Sequence, residues 1–197
     1  LKIGILGGSF NPAHAGHLHI SKLAMRKMGL HKVWWLVSPG NPLKKNSGIY
    51  DYPARRQSAL SVSKNFPRIM VSDFERENLS HYTFKTLKLL KARYPGTRFV
   101  WIMGADNLAI FHKWKNWQRI AEMIPIVVFD RSDMAVKALT SRMAIRYRQA
   151  RVGHPTPQRI ISRESAARTE GGRKAQWSFI RIRKHPESSS RIRSLAD

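Results

Sequence analysis

Two histidines three residues apart, His14 and His17, stand at the end of the loop Gly7-Gly8-Ser9-Phe10-Asn11-Pro12-Ala13. The loop follows a short apolar run at residues 3–6 and precedes residues 15–28, where apolar side chains recur at helical spacing, so it joins a strand to a helix. Glycine lets backbone amides come close to an anion, and a helix start adds the positive end of its dipole. Histidines three apart on a helix share a face, so both imidazoles can point at one anion. A protonated imidazole donates from both nitrogens and can neutralise charge that builds on a phosphate during its transfer. Two plainer readings compete: a pair of surface histidines, or half of a zinc site. The second would need cysteine or a clear third ligand, so no metal site is expected here.

Other phosphate-binding chemistries drop out. Gly4, Gly7 and Gly8 do not form G-x-G-x-x-G, and the second apolar run gives way to Ser38 rather than to an acidic ribose binder. No Gly-Lys-Ser/Thr of a Walker A loop is present. Classical dehydrogenases and P-loop enzymes are thereby excluded.

Apolar runs at 3–6, 33–37, 69–71, 99–103 and 126–129 read as buried strands. Helical spacing fills the intervals at 15–28, 52–65, 83–93 and 117–123, with Gly29, Pro67, Pro95 and Pro125 as stops. That alternation predicts an α/β fold, a Rossmann-like doubly wound parallel sheet, in which right-handed crossovers bring the strands' C-terminal ends to one rim. Functional residues are expected on that rim. Beyond Asp133, residues 135–148 read as a basic helix and 152–174 as a loop or poorly ordered insertion. Residues 176–182 read as a late strand, and 188–194 as a Ser-capped helix start.

The 197 residues suit a single domain, with 135–175 as a basic insertion and 176–197 as a C-terminal phosphate-binding segment. There is no cysteine, which removes disulfides and thiolate metal sites and suits the cytoplasm. No apolar run reaches membrane-spanning length and no secretory leader pattern precedes residue 3, so no membrane partner is expected. Lys and Arg number 36 against 12 Asp and Glu, for a net charge of +24, denser after residue 142. Such a surface attracts polyanions in general. Oligomeric state leaves no mark in the sequence.

The loop Gly7-Gly8-Ser9-Phe10-Asn11-Pro12 followed by His14-Ala15-Gly16-His17 resembles the signature of the HxGH adenylyltransferase superfamily, and within it the bacterial nicotinate-nucleotide adenylyltransferases. Asn11 stands where many members carry Asp. Further segments fall in the order such a relationship requires. Pro42-Leu43-Lys44 resembles a Pro-His-Lys segment, with Leu43 departing from it; Arg55 and Arg56 resemble an arginine-bearing helix, where a structural ion pair is the plainer use of either. Residues 75–83 end in His81-Tyr82-Thr83, similar to a Ser-Tyr-Thr stretch, and Thr83 is also a good helix N-cap. Gly104-Ala105-Asp106 resembles Gly-x-Asp, and Trp114 follows it at the family's tryptophan position. Ser188-Ser189-Ser190-Arg191-Ile192-Arg193 is similar to Ile-Ser-Ser-Thr-x-Ile-Arg, with Glu187 in place of the first Ile and Ser190 in place of Thr.

The resemblance implies adenylyl transfer from ATP to nicotinate mononucleotide, giving deamido-NAD and pyrophosphate, with Mg2+ carried by ATP. It implies that Gly7, Gly8, Ser9, Phe10, His14 and His17 hold ATP together with Gly104 and Asp106 from the fourth strand's end and Ser189, Ser190 and Arg193 from the C-terminal segment. His14, His17 and Lys44 would be catalytic. The acceptor would lie among Asn11, Lys44, Thr83, Trp114 and Arg131, its electron-poor ring against the Trp114 indole. A core or hinge role is the plainer reading of Trp114. Nicotinamide mononucleotide and phosphopantetheine remain alternative acceptors. A basic nucleic-acid-binding protein on the same fold is the alternative from another class, although no recognition module or aromatic-interleaved RNA motif accompanies the charge and no specific nucleic-acid partner is expected.

Overall fold

A computed structural model of the chain describes residues 1–40, 50–130, 134–153, 167–168, 174–182 and 189–194. Its frame is a six-stranded sheet in which every neighbouring pair is parallel: β1 (Lys2–Gly8), β2 (Lys32–Val37), β3 (Ile69–Ser72), β4 (Arg98–Gly104), β5 (Ile126–Asp130) and β8 (Trp177–Arg181). A separate antiparallel pair joins β6 (Ala167–Arg168) to β7 (Lys174–Ala175). The order across the large sheet is β3-β2-β1-β4-β5-β8. The chain therefore winds outward from β1 in one direction, returns, and winds outward in the other from β4. The β1/β4 boundary is the topological switch point, where the connections diverge and leave a crevice beyond the strands' C-terminal ends.

Alternation along the strands divides the core in two. Ile3, Ile5, Trp101, Met103, Ile126 and Val128 face one side and Leu6, Val33, Trp35, Val100, Ile102 and Val127 the other, all buried. The second side is covered by α1 (Ala15–Met28) and α2 (Tyr52–Ser63), which bring Ile20, Ala24, Met28 and Ala59 to it. The first side is covered by α4 (Thr83–Arg93), α5 (Ala105–Ile110), α6 (Trp117–Met123), α7 (Ala135–Leu139) and α8 (Arg142–Arg146). A single turn of helix, α3 (Phe74–Glu77), follows β3, and α9 (Ser189–Ser194) follows β8.

All five expected strands and the four expected helices form. Three expectations need correction. The helix expected over residues 135–148 is broken: Thr140 and Ser141 leave helical geometry, and the Ser141 hydroxyl caps the amide of Ala144 to start α8 afresh. The region read as a loop or insertion at 152–174 contains β6 and the first residue of β7; its residues 154–166 and 169–173 lie outside the described ones. Thr83 is the first residue of α4 and not its cap, which is Tyr82 in extended conformation without a side-chain capping bond.

Candidate active site

The loop that leaves β1 is shaped first by packing. A Cβ on Gly7 would lie 2.6 Å from Cη2 of Trp101 on the adjacent strand, closer than any side chain tolerates. Gly7 is thus required by the indole beside it, whereas a Cβ on Gly8 would make only ordinary contact with the Phe10 ring at 3.6 Å. Phe10 then turns the chain through left-handed backbone, φ 48°, and is itself buried. A bulky residue holds that conformation only when its surroundings over-determine it. They do so here: the Phe10 ring stacks on Trp35 at 5.1 Å and meets the His17 ring at 4.9 Å. Trp35 in turn donates to Ser21 Oγ at 2.8 Å, and Ser21 donates to the His17 carbonyl at 2.8 Å. His17 is therefore fixed by an aromatic contact on its ring and a hydrogen-bond chain on its backbone.

A buried guanidinium clamps the same loop from outside. Arg55 of α2 donates to the carbonyls of Ser9 at 2.7 Å, Ser38 at 2.8 Å and Tyr50 at 2.9 Å, tying the loops after β1 and β2 to one helix. Burial lowers its pKa from the ordinary arginine value. Ser58, one turn further on, accepts from the Ala13 amide at 3.0 Å, and Asn11 Oδ1 accepts from the Tyr50 amide at 2.8 Å. An ion pair was the expected use of the two arginines. Among the described residues only Arg56 makes one, with Asp73 at 2.8 Å; the hydrogen bonds of Arg55 go to backbone carbonyls, a role that residue type and spacing did not signal.

His14 and His17 meet at the start of α1 with ring centroids 4.0 Å apart, both buried. Their roles in the helix differ. His14 is the N-cap, in extended conformation, and its Nδ1 accepts from the Gly16 amide at 3.1 Å; His17 Nδ1 accepts from the His14 amide at 3.3 Å, completing a reciprocal capping box. An Nδ1 that accepts a backbone N–H carries no proton, so each neutral ring bears its hydrogen on Nε2. With Nδ1 engaged in this way, each imidazole has Nε2–H as its donor, and the backbone sets the direction of the ring.

Two further segments reach the loop from distant parts of the chain. α9 docks on it: Ser189 donates to the Pro12 carbonyl at 2.9 Å, and Arg193 donates to the Asn11 carbonyl. Beyond β4, Gly104 is the extended cap residue of α5 and Asp106 lies half-buried in that helix's first turn, at the switch point beside the loop. Trp101 links the loop to the next segment, since its indole meets Trp114 edge-on at 6.1 Å. Trp114 is half-buried and also packs on Phe111 at 5.2 Å, so a core contact and an accessible face coexist in it. The segment with Thr83 is drawn to the same side. Lys115 stands 4.7 Å over the Tyr82 ring and Arg119 4.7 Å over the Phe84 ring, bridging the start of α4 to the residues around Trp114.

The fold thus assembles Gly7, Gly8, Ser9, Phe10, Asn11, His14, His17, Ser189 and Arg193 around one loop, with Gly104 and Asp106 on the neighbouring strand end. Thr83 and Trp114 form a second group joined to the first through Trp101. Ser190 lies in α9. Lys44, Arg131 and Ser188 fall outside the described residues. Among the described residues, no three His, Asp or Glu side chains are grouped to hold a metal ion, and no helix is long and apolar enough to cross a membrane. Sequence reasoning missed Trp101 and Ser58, and the carbonyl contacts of Arg55, because the partners lie far away in the chain. It also missed Glu75, whose carboxylate is buried beneath the segment with Thr83.

A parallel sheet in this order, with paired histidines capping the helix after its first strand, defines a nucleotidyltransferase, and a cytidylyltransferase-like family model matches residues 5–195. A protein of Cereibacter sphaeroides named a probable nicotinate-nucleotide adenylyltransferase is 43% identical over 192 residues, covering 98% of this chain and 96% of that one. One of Parvibaculum lavamentivorans with the same name is 48% identical over 144 residues, 73% of this chain and 71% of its own. The chain belongs to the nicotinate-nucleotide adenylyltransferase family. In fold it matches a solved structure of the Plasmodium falciparum nicotinic acid mononucleotide adenylyltransferase complexed with NaAD, at a TM-score of 0.69, 17% identity, and 98% and 82% coverage of the two chains.

Proposed function

We propose that this chain transfers the adenylyl group of ATP to nicotinate mononucleotide, forming deamido-NAD and releasing pyrophosphate, in the biosynthesis of NAD. The observation that carries the chemistry is the paired imidazoles: two buried rings 4.0 Å apart whose Nδ1 atoms are both occupied by backbone amides. Two fixed Nε2–H donors at a helix start, beside the switch point, suit the oxygens of one phosphate. A phosphate oxygen of the mononucleotide attacks the α-phosphorus of ATP in line. A new P–O bond forms, the bond to the bridging oxygen breaks, and pyrophosphate leaves with the electron pair. The nucleophile is already an anion, so no side chain has to remove a proton. Catalysis then consists of bringing two anions together and neutralising the charge that develops between them.

In this reading the two Nε2–H groups donate to the α-phosphate, while Ser189, Ser190, Arg193 and Lys44 hold the β- and γ-phosphates. Glycines 7, 8 and 104, with Ser9 and Phe10, shape the ATP site, and Asp106 accepts from ribose hydroxyls. Mg2+ enters with ATP, held by substrate phosphates and water, as its hydration favours. Asn11, Arg131, Thr83 and Trp114 take the acceptor, with its ring on the indole face. The chain acts as one nucleotidyltransferase domain in the cytoplasm. Relatives named for the nicotinate substrate support this acceptor over the amide or phosphopantetheine. Supplying magnesium, ATP and each of the three acceptors in turn, while following pyrophosphate, tests it. The highest kcat/KM is expected with nicotinate mononucleotide; a preference for nicotinamide mononucleotide would overturn the assignment.

A further inference from the structure

Beneath the Tyr82–Thr83 segment lies a carboxyl group that the reaction does not use. Glu75 of α3 is 6% exposed, and Oε1 stands 3.1 Å from the hydroxyl of Thr86 in α4. That hydroxyl is 2.8 Å from Ser80 Oγ and 3.3 Å from the Tyr82 carbonyl, and Ser80 Oγ is 3.4 Å from the same carbonyl. The Ser80 amide also donates to the Glu75 carbonyl at 2.8 Å. A line of hydrogen bonds thus runs from the carboxyl group through two hydroxyls to the backbone at the start of α4. It spans a strained turn, since Leu79 at its tip has left-handed backbone, φ 46°, with its side chain 77% exposed. With that side chain exposed, hydrogen bonds hold the turn: the Leu79 amide donates to the Arg76 carbonyl at 3.2 Å, and Ser80 ties its far side to Glu75 and Tyr82.

The direction of the line depends on one proton. With Glu75 protonated, its O–H donates to Thr86, Thr86 to Ser80, and Ser80 to the Tyr82 carbonyl, so every hydroxyl is used and the loop is closed from below. With Glu75 ionised, the Thr86 proton goes to the carboxylate, and the Ser80 proton goes to Thr86 Oγ1 at 2.8 Å in preference to the Tyr82 carbonyl at 3.4 Å. The Tyr82 carbonyl then keeps only the Thr86 amide at 3.1 Å, and a buried charge is left with one hydroxyl donor, which draws water in. Among the described residues no charge offsets it. Arg56 is paired with Asp73, Arg76 lies over the Tyr52 ring at 4.9 Å, and Lys85 donates to the Leu79 carbonyl. Glu77 and His81 are exposed, and β2, packed against α3, bears only Lys32, directed to Met70. Burial accordingly pushes the Glu75 carboxyl up to about 7, with the Thr86 hydroxyl opposing the rise.

We propose that Glu75 is a positioning residue for the acceptor, its protonated form closing the hydrogen-bond line that shapes the backbone from Leu79 to Thr83. The proposal rests on the reading that this segment binds the mononucleotide. Acceptor affinity is then full below neutrality and lost as pH rises through it, because ionised Glu75 removes the binding-competent loop. The apparent KM for nicotinate mononucleotide should climb toward about tenfold per pH unit above the transition, while the KM for ATP does not follow it.

The test compares wild type with Glu75→Gln from pH 6 to 8.5. Glutamine is neutral at every pH and can donate to Thr86 as the protonated acid does. Titrations of the substrate phosphate and of the site histidines are common to both proteins and cancel in the ratio of acceptor KM values. That ratio, wild type over Glu75→Gln, is expected to stay near one at pH 6 and to rise steeply above 7; a ratio independent of pH overturns the proposal. Thr83→Ala, measured alongside, separates the two layers of the argument. If it leaves the acceptor KM unchanged, the acceptor-segment reading fails and the role of Glu75 with it. If it raises that KM and the pH ratio is flat, only the role of Glu75 fails. Should Glu75→Gln not fold, wild-type hydrogen exchange decides: after correction for intrinsic rates, amides 80–86 should lose protection across the same pH window, and constant protection overturns the proposal.

Discussion

His14 and His17 each do two things at once, and the atoms that do them are separate. Nδ1 belongs to the helix, closing the capping box; Nε2 is the atom that serves the chemistry in the proposed reaction. A substitution can therefore divide the roles. Serine at position 14 keeps an oxygen able to cap α1 but has nothing at the position of Nε2. His14→Ser should melt within a few degrees of wild type, losing at most ~1 kcal/mol. Its kcat should nevertheless fall by about 10²- to 10³-fold, the usual loss when one preorganised donor to a transition-state oxygen is removed, with the KM for ATP little changed. Thermal unfolding and steady-state kinetics on the same preparation check this. A variant with normal turnover would leave His14 as a cap and no more. His17→Ala should show a similar loss of turnover together with lower stability, because His17 also anchors Phe10 in its left-handed conformation.

At the scale of elements, the position of the loop comes from the fit of β1 against β4. Gly7 and Trp101 share one volume, and the same indole meets Trp114. Gly7→Ala forces the indole to move, with an overpacking cost of ~1–3 kcal/mol, and the shift should reach both the loop after β1 and the residues around Trp114. Trp101→Phe removes the atom that a Cβ at position 7 would strike. The double variant should therefore be more stable than the sum of the single changes requires, a coupling of ~0.5–3 kcal/mol in denaturant unfolding; simple additivity would place the two residues apart. Much at this scale was legible beforehand. Runs such as 99–103 and 126–129 are apolar without alternation because both faces of a parallel strand are buried, and Gly29 in left-handed conformation ends α1 as a stop signal should. What was not legible is set by contacts between distant residues. Arg55 reaches Ser9 and Ser38, and Ser189 reaches Pro12 across 177 residues of chain. Nor does local pattern announce that Ser141 will cap a new helix inside a basic amphipathic run, or that extended Tyr82 will take the cap position and leave Thr83 in the first turn. Glu75 belongs to the same group, since its environment is made by Thr86 and Ser80 from outside its own helix.

For the molecule as a whole, the excess of cations decides how substrates arrive. With 36 Lys and Arg against 12 Asp and Glu, most cations have no acid to pair with, and their field extends into solvent. Both substrates of the proposed reaction are anions, so the field should raise their rate of encounter with the crevice at the β1/β4 switch point. In the proposed reaction the phosphate contacts inside the crevice act at hydrogen-bond range, whereas the surrounding field acts over a Debye length, about 10 Å at 0.1 M salt and about 3 Å at 1 M. Added salt should therefore lower kcat/KM for both substrates while leaving kcat nearly unchanged. A decline of roughly tenfold between 0.05 and 0.5 M potassium chloride is the scale expected of steered association. Nucleic acid separates this from the alternative use of the charge. If the cations serve substrate capture, duplex DNA should inhibit weakly, in competition with ATP, and lose that inhibition at the salt concentration where kcat/KM levels off. If kcat/KM ignores salt while DNA binding remains tight and salt-sensitive, the charge serves a polyanionic partner and not the reaction.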